Sequence, residues 1–210
     1  MKKTTYAIDG SRVFDFIIDP NMKSSDLLKE YLESVLEHKT YKKGEFLLRE
    51  GQTCKWAFFI ESGMIQQYTV GEDKEQTTWL LQENDLVTSV KSFFHQIPSP
   101  EFIVALEPTI VTAIRFDHLQ TAFQRFPEFE IFCLNKMRSY YERLQDRIGS
   151  LRAGKPATNY KWLMETSPEL ATRAPLKPLS SYLLVSVKKL TEVRGIRRKK
   201  AYKKKNQNKR

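Results

Sequence analysis

GEFLLREGQTCKWAFFIESGMIQQYTVG, residues 44–71, decides how the chain is read. Short runs rich in Phe, Leu, Ile and Tyr are cut by Gly44, Gly51, Gly63 and Gly71. The same texture continues to about Asp117 through QTTWLLQEND, FIVALEP and TIVTAIRF, with VGEDKE as a hairpin tip. Short strands at this spacing predict an all-β barrel or jelly roll, a double-stranded β-helix.

Helical patterns flank the barrel. Upstream, SSDLLKEYLESVLEH reads as a helix capped by Ser24 or Ser25, with Leu27, Leu28, Tyr31, Leu32, Val35 and Leu36 as its apolar stripe. Downstream, DHLQTAFQRFPEFEIFCLNKMRSYYERLQDRIGSLRAG reads as a long helical stretch. In it Leu134, Met137, Tyr141, Leu144, Ile148 and Leu151 alternate spacings of three and four, which is a heptad seam. Arg138, Glu142, Arg143, Asp146 and Arg147 lie off it. So narrow a seam suits contact with one other helix and predicts a homodimer; packing of the same face on the chain's own barrel is the alternative.

RAGKPAT breaks that helix near Gly154 to Pro156. Beyond it come a short helix around NYKWLMETS, a turn at RAPLKP, and PLSSYLLVSVKKLTEVR. Pro178 can open a helix showing Leu179, Tyr182 and Leu183 on one face. Ser186 then caps a second helix in which Val187, Leu190 and Val193 face inward, and Lys188, Lys189, Thr191, Glu192 and Arg194 face out. Two short helices joined by a tight turn, the second exposing basic residues, describe a helix-turn-helix. Ser186, Lys188, Lys189, Thr191, Glu192 and Arg194, with Arg197 and Arg198 just after them, are the candidate DNA-binding set. The fold class is therefore α+β: a jelly roll with flanking helices, a long dimerisation helix, and a helical C-terminal domain. The expected divisions are 1–126 for arm, helix and barrel, 127–153 for the long helix, 154–195 for the helix-turn-helix and 196–210 for a disordered basic tail.

Composition narrows the function. No apolar run approaches the ~18 residues of a membrane span, and MKKTTYAIDGSRVF lacks the apolar stretch of a secretory signal, so a cytoplasmic protein is expected. Cys54 and Cys133 stand alone, with too few ligands for zinc or an iron–sulfur cluster, and His38, His95 and His118 form no ligand set. No cofactor or metal is expected. Between Thr40 and Asp117 there is one histidine, His95, with no HxH or HExxH pair, and neither a nucleophile–base pair nor a glycine-rich phosphate loop occurs, which argues against an enzyme. Trp79, Phe93, Phe94 and Phe102 are assigned to the core. From Lys188 to Arg210 twelve Lys and Arg face one acid, Glu192, so the net charge of +10 resides wholly at that end. A near-neutral body with a basic end suits a sensing body with a polyanion-binding element.

KKGEFLLREG and FFIESGMIQQY in the barrel, followed by LSSYLLVSVKKLTEVR, make the chain resemble the Crp/Fnr family of bacterial transcription regulators from about Thr40 to Arg194. The anchors are Gly44-Glu45, Arg49-Glu50-Gly51 and Ile60-Glu61-Ser62-Gly63, then Ser181-Tyr182-Leu183 with Ser186, Leu190 and Arg194. The resemblance implies a homodimer that binds double-stranded DNA and senses a small molecule. It places the effector pocket between barrel and long helix, around Thr88, Ser89, Ser99 and Tyr140 or Tyr141.

The departures are as informative. Where cyclic-nucleotide-binding members hold the ribose with Gly-Glu and the phosphate with Arg-Ser/Thr, the matching positions here are Thr88-Ser89 and Ser99-Pro100. A phosphate monoanion leaving water needs charge-assisted donors, so cyclic AMP is not the expected effector. Leu184 stands where the family has Gly in the turn, and a left-handed backbone there costs Leu about 1 kcal/mol or more. Glu192 replaces a frequent Arg; it would repel phosphate but can accept from cytosine N4. GIRRKKAYKKKNQNKR replaces a winged hairpin. The leading reading is a regulator with an effector-sensing barrel. Its rival is a ligand-binding or scaffold protein whose degenerate helix-turn-helix and tail bind nucleic acid without sequence preference.

Overall fold

The computed structural model describes residues 25–195 apart from 73, 153 and 155. Every strand run named from sequence is present. Two antiparallel sheets of four strands face each other. One runs in the order β1 (Glu37–Tyr41), β8 (Thr109–Arg115), β3 (Trp56–Ser62) and β6 (Leu86–Val87). The other runs β2 (Phe46–Leu48), β7 (Phe102–Ala105), β4 (Ile65–Gly71) and β5 (Lys74–Leu81). Leu48, Phe58, Ile60, Ile65, Leu81, Ile103 and Val111 fill the space between them. VGEDKE is the hairpin tip, with Gly71 opposite Lys74. At the β3–β4 corner Gly63 has φ +105°, and a Cβ there would lie 2.4 Å from Thr109 Oγ1 and 2.7 Å from the Pro108 carbonyl oxygen, so glycine is obligatory.

Helix α1 (Asp26–Val35) is capped by Ser25, whose hydroxyl accepts from the Leu28 amide and donates to Glu128 Oε1 at 2.7 Å. Leu28 and Leu32 are buried, while Leu27 of the expected stripe is exposed. The expected helix through Glu37 and His38 is cut short: Leu36 is extended and 37–41 pair with β8. Pairing with an edge wins over local helix preference there. A short helix α2 (Val90–His95) between β6 and β7 carried no periodic signal. The long stretch is two helices, α3 (Phe116–Arg125) and α4 (Pro127–Arg152). Pro127 holds Phe126 in extended backbone and then suits the first helical position.

After α4 come α5 (Pro156–Thr166), α6 (Pro168–Arg173), α7 (Leu176–Tyr182) and a last helix, α8, over 187–195. Helix α6 was not anticipated, and α7 begins two residues before Pro178, which sits in its first turn, where a missing N–H breaks no helical bond. These helices share a second core of Tyr160, Leu163, Leu170, Leu179, Leu183 and Leu190, which continues into Met64 and Leu80 of the barrel. Among the described residues no helix is long and apolar enough to cross a membrane.

Candidate DNA-binding surface and effector cavity

The turn between α7 and α8 is built on Leu184. Its φ is +53°, the left-handed conformation anticipated at the position where glycine is usual. The Val185 amide donates to the Ser180 carbonyl and the Leu184 amide to the Ser181 carbonyl, the two bonds of a Schellman helix ending. The Leu184 side chain is 72% exposed, so no packing offsets its backbone cost. Ser186 caps α8 by accepting from the Lys189 amide at 3.2 Å, and Leu190 is buried beneath. Lys188, Lys189, Thr191 and Glu192 are exposed as expected. Lys189 pairs with Glu192 at 2.9 Å, and the Thr191 hydroxyl donates back to the Val187 carbonyl.

Two expectations need correction. Val187 is exposed rather than inward. Arg194 turns inward, donating to the carbonyls of Ala171 and Ala174. Those carbonyls lie at the end of α6, where a guanidinium is well matched to unpaired acceptors and to the helix dipole. Arg197 and Arg198 lie outside the described residues.

A cavity of about 520 Å³ lies between the barrel and the first half of α4. Its walls include Trp79, Leu81, Val87, Phe93, Phe94 and Phe123, with Leu134, Met137 and Tyr140 from α4. Of the predicted pocket residues, Thr88 and Tyr140 line it. Tyr141 points out, 61% exposed. Ser89 and Ser99 are buried instead in a closed network. Ser99 Oγ donates to Ser89 Oγ at 2.9 Å, Ser89 Oγ donates to Glu101 Oε2 at 2.8 Å, and Gln67 Nε2 donates to the same oxygen at 2.8 Å. Glu101 is thus held by neutral donors where a nucleotide phosphate would need cations. Lys91 is exposed on α2. Trp79, Phe93 and Phe94, read as core, serve also as cavity wall, whereas Phe102 stacks on Tyr68 at 5.0 Å. Burial pushes the Cys133 thiol up to about 12, so it stays protonated.

Along α4 the seam residues Leu134, Met137, Tyr141 and Ile148 are 64%, 58%, 61% and 41% exposed, and Leu144 and Leu151 are half-buried. Of these, Leu134 and Met137 also border the cavity toward the barrel, whereas Tyr141 and Ile148 do not. The side of α4 that packs on the barrel buries Phe129 and Phe132 near its start and uses polar residues farther along. Asp85 receives Arg143 Nη1 at 2.5 Å, and the Tyr140 hydroxyl accepts from the Leu86 amide. Arg147 is buried, stacks on the Tyr182 ring at 3.9 Å, and donates to the carbonyls of Thr78 at 2.7 Å and Tyr182 at 2.8 Å. One side chain of α4 thereby joins β5 to α7.

Residues 38–126 match the cyclic nucleotide-binding domain family. The fumarate and nitrate reduction regulatory protein of Yersinia pestis is 30% identical over 123 residues, 57% of this chain and 48% of its own. The anaerobic regulatory protein of Haemophilus influenzae is 30% identical over 121 residues, 57% of this chain and 46% of its own. The chain is similar to regulators of the Crp/Fnr type. It spans about half the length of the curated relatives it matches. Among Crp/Fnr structures, FixK2 from Bradyrhizobium japonicum superposes with TM-score 0.65 at 15% identity, over 80% of this chain and 86% of that one. A CooA variant from Carboxydothermus hydrogenoformans gives 0.62 at 18% identity, over 90% and 83%. These two likenesses extend the shared fold beyond the barrel into the helical end.

Within this fold, sequence reasoning missed the roles of Arg147 and Arg173. Arg173 holds Glu83 with two hydrogen bonds of 2.8 and 2.9 Å and also reaches Glu107, clamping α6 to the barrel. Glu83 in turn accepts from the Gly63 amide at 2.8 Å. The only signal in the sequence was placement: Arg147 sits off the seam, on the face that must meet the chain's own barrel.

Proposed function

We propose that this chain is a DNA-binding transcription regulator that acts as a homodimer and answers to a small molecule other than cyclic AMP. The observation that carries the reading is the α7–α8 pair: a helix-turn-helix with its tight turn kept despite Leu184, and a second helix whose outer face offers Lys188, Lys189, Thr191 and Glu192. The exposed seam of Leu134, Met137, Tyr141 and Ile148, with Leu144 and Leu151 at its flank, supports pairing through α4. Dimer pairing would set two copies of α8 at half-sites related by a two-fold axis. The relatives are named as regulators, which supports a non-enzymatic role.

Selection from random duplex DNA tests this, comparing the intact chain, the chain ending after Arg194, and Lys188→Ala. A regulator enriches one two-fold-symmetric motif with both lengths, more weakly without the tail, and Lys188→Ala changes the motif. Met137→Glu in the seam should give monomers by sedimentation and lose the symmetric motif.

A second reading has its own observations. Lys189 is paired with Glu192 and Arg194 is committed to carbonyls, which thins the cationic face of α8. If neither length enriches a motif and binding vanishes with residues 195–210, nucleic acid is held only through phosphates and the chain's work lies in its barrel.

A further inference from the structure

We infer that the cavity between the barrel and the first half of α4 takes an uncharged, largely apolar small molecule, not a nucleotide or other phosphate ester. This rests on the reading of the chain as an effector-responsive regulator, and names the effector's class. The volume of about 520 Å³ falls among small-molecule pockets, which run from roughly 300 to 1,000 Å³. The wall is mostly hydrocarbon and ring: Trp79, Leu81, Phe93, Phe123, Leu134 and Met137.

Three polar side chains of that wall, Gln67, Thr88 and Tyr140, already have partners within the chain. Gln67 Nε2 donates to Glu101 at 2.8 Å and to the Thr88 carbonyl at 3.3 Å. Thr88 Oγ1 donates to the Trp56 carbonyl at 3.0 Å. The Tyr140 hydroxyl accepts from the Leu86 amide at 2.5 Å and donates toward Asp85 at 3.4 Å. Among the lining residues Lys136 is the only cation, and it is matched in number by Glu130. The Lys136 ammonium lies 5.7 Å from the ring centroid of Phe132, which is not part of the wall. A phosphate entering here would give up its water for a single lysine whose charge Glu130 balances, and would approach the Glu101 carboxylate behind Gln67. An apolar ligand gives up nothing and covers the rings.

The probe is N-phenyl-1-naphthylamine, uncharged, apolar and fluorescent once out of water, titrated into the intact chain. The expected result is saturable binding of one probe per chain that a hundredfold excess of cyclic AMP does not displace. Val90 lines the cavity and is 58% exposed at the start of α2, where a carboxylate suits the helix, so Val90→Glu should fold and weaken the probe at least tenfold. Val70→Glu, on an exposed site of the β4–β5 hairpin away from the wall, should leave probe binding unchanged. Displacement by cyclic AMP, or equal weakening by both variants, overturns the inference. So does loss of the probe as protein concentration is raised through dimer formation, since a second copy would then be the occupant. The two proposals fail separately: a DNA motif without saturable probe binding removes only this one, and probe binding without a DNA motif removes only the regulator.

Discussion

From Ile131 to Tyr140 helix α4 offers the barrel an apolar wall with a cavity behind it, whereas from Arg143 to Arg147 it is fastened to β5, the β5–β6 turn and α7 by charged hydrogen bonds. The two kinds of contact answer differently to change. Apolar packing has no fixed direction and can rearrange around an occupant. A guanidinium on buried carbonyls is directional, and removing it strands its acceptors. The first half of α4 is thus suited to register occupancy, and the second half to hold the helical C-terminal domain in a defined position on the barrel.

The sharpest way to break this comparison is Arg147→Met. It keeps the apolar stem but leaves the Thr78 and Tyr182 carbonyls without their donor, and should cost about 3–5 kcal/mol in urea denaturation. A loss no larger than that of an apolar truncation in the cavity wall would remove the distinction between the halves. Gly63→Ala acts on the same fastened side, because the Gly63 amide helps hold Glu83 for Arg173. Left-handed strain plus the contact with Pro108 and Thr109 should cost about 2–3 kcal/mol, read from the melting temperature.

Leu184→Gly should do the reverse. It relieves the left-handed backbone of an exposed residue and should stabilise the chain by about 1 kcal/mol, with the DNA motif of the parent unchanged. The smallest expected effect is that of acid. The hydrogen bond from Arg173 is the main cause that pushes the Glu83 carboxyl down from 4.5 to about 2. A folded value below the unfolded one stabilises above pH 4.5, and that contribution is lost as pH falls from 4.5 toward 2. Glu83→Gln should flatten the melting curve across that window, by a modest amount because the pair is partly solvated.

Much of the barrel was legible because its strands are short apolar runs bounded by turn residues, and the α7–α8 turn because the helical patterns ending at Leu183 and starting at Ser186 leave only two residues between them. Helix α2 and strand β6 were not, being too short for any period to register. The same limit applied to the site. The resemblance put Thr88, Tyr140, Ser89 and Ser99 at one pocket; the first two line the cavity, but the two serines are turned to Glu101, a partner that no local pattern announces.

By itself the sequence determined six of the eight strands in their order, the heptad spacing on α4, the basic face of α8 and the strained turn at Leu184, all of which follow from spacing within a few residues. Only the tertiary structure decided that Arg147 and Arg194 serve as internal fasteners, that Gln67 and Ser89 hold Glu101, and that a cavity is left beside α4. Those outcomes join residues such as Arg147 and Thr78, far apart in the chain, where burial makes every polar atom find a partner and leaves apolar surface to enclose whatever space remains.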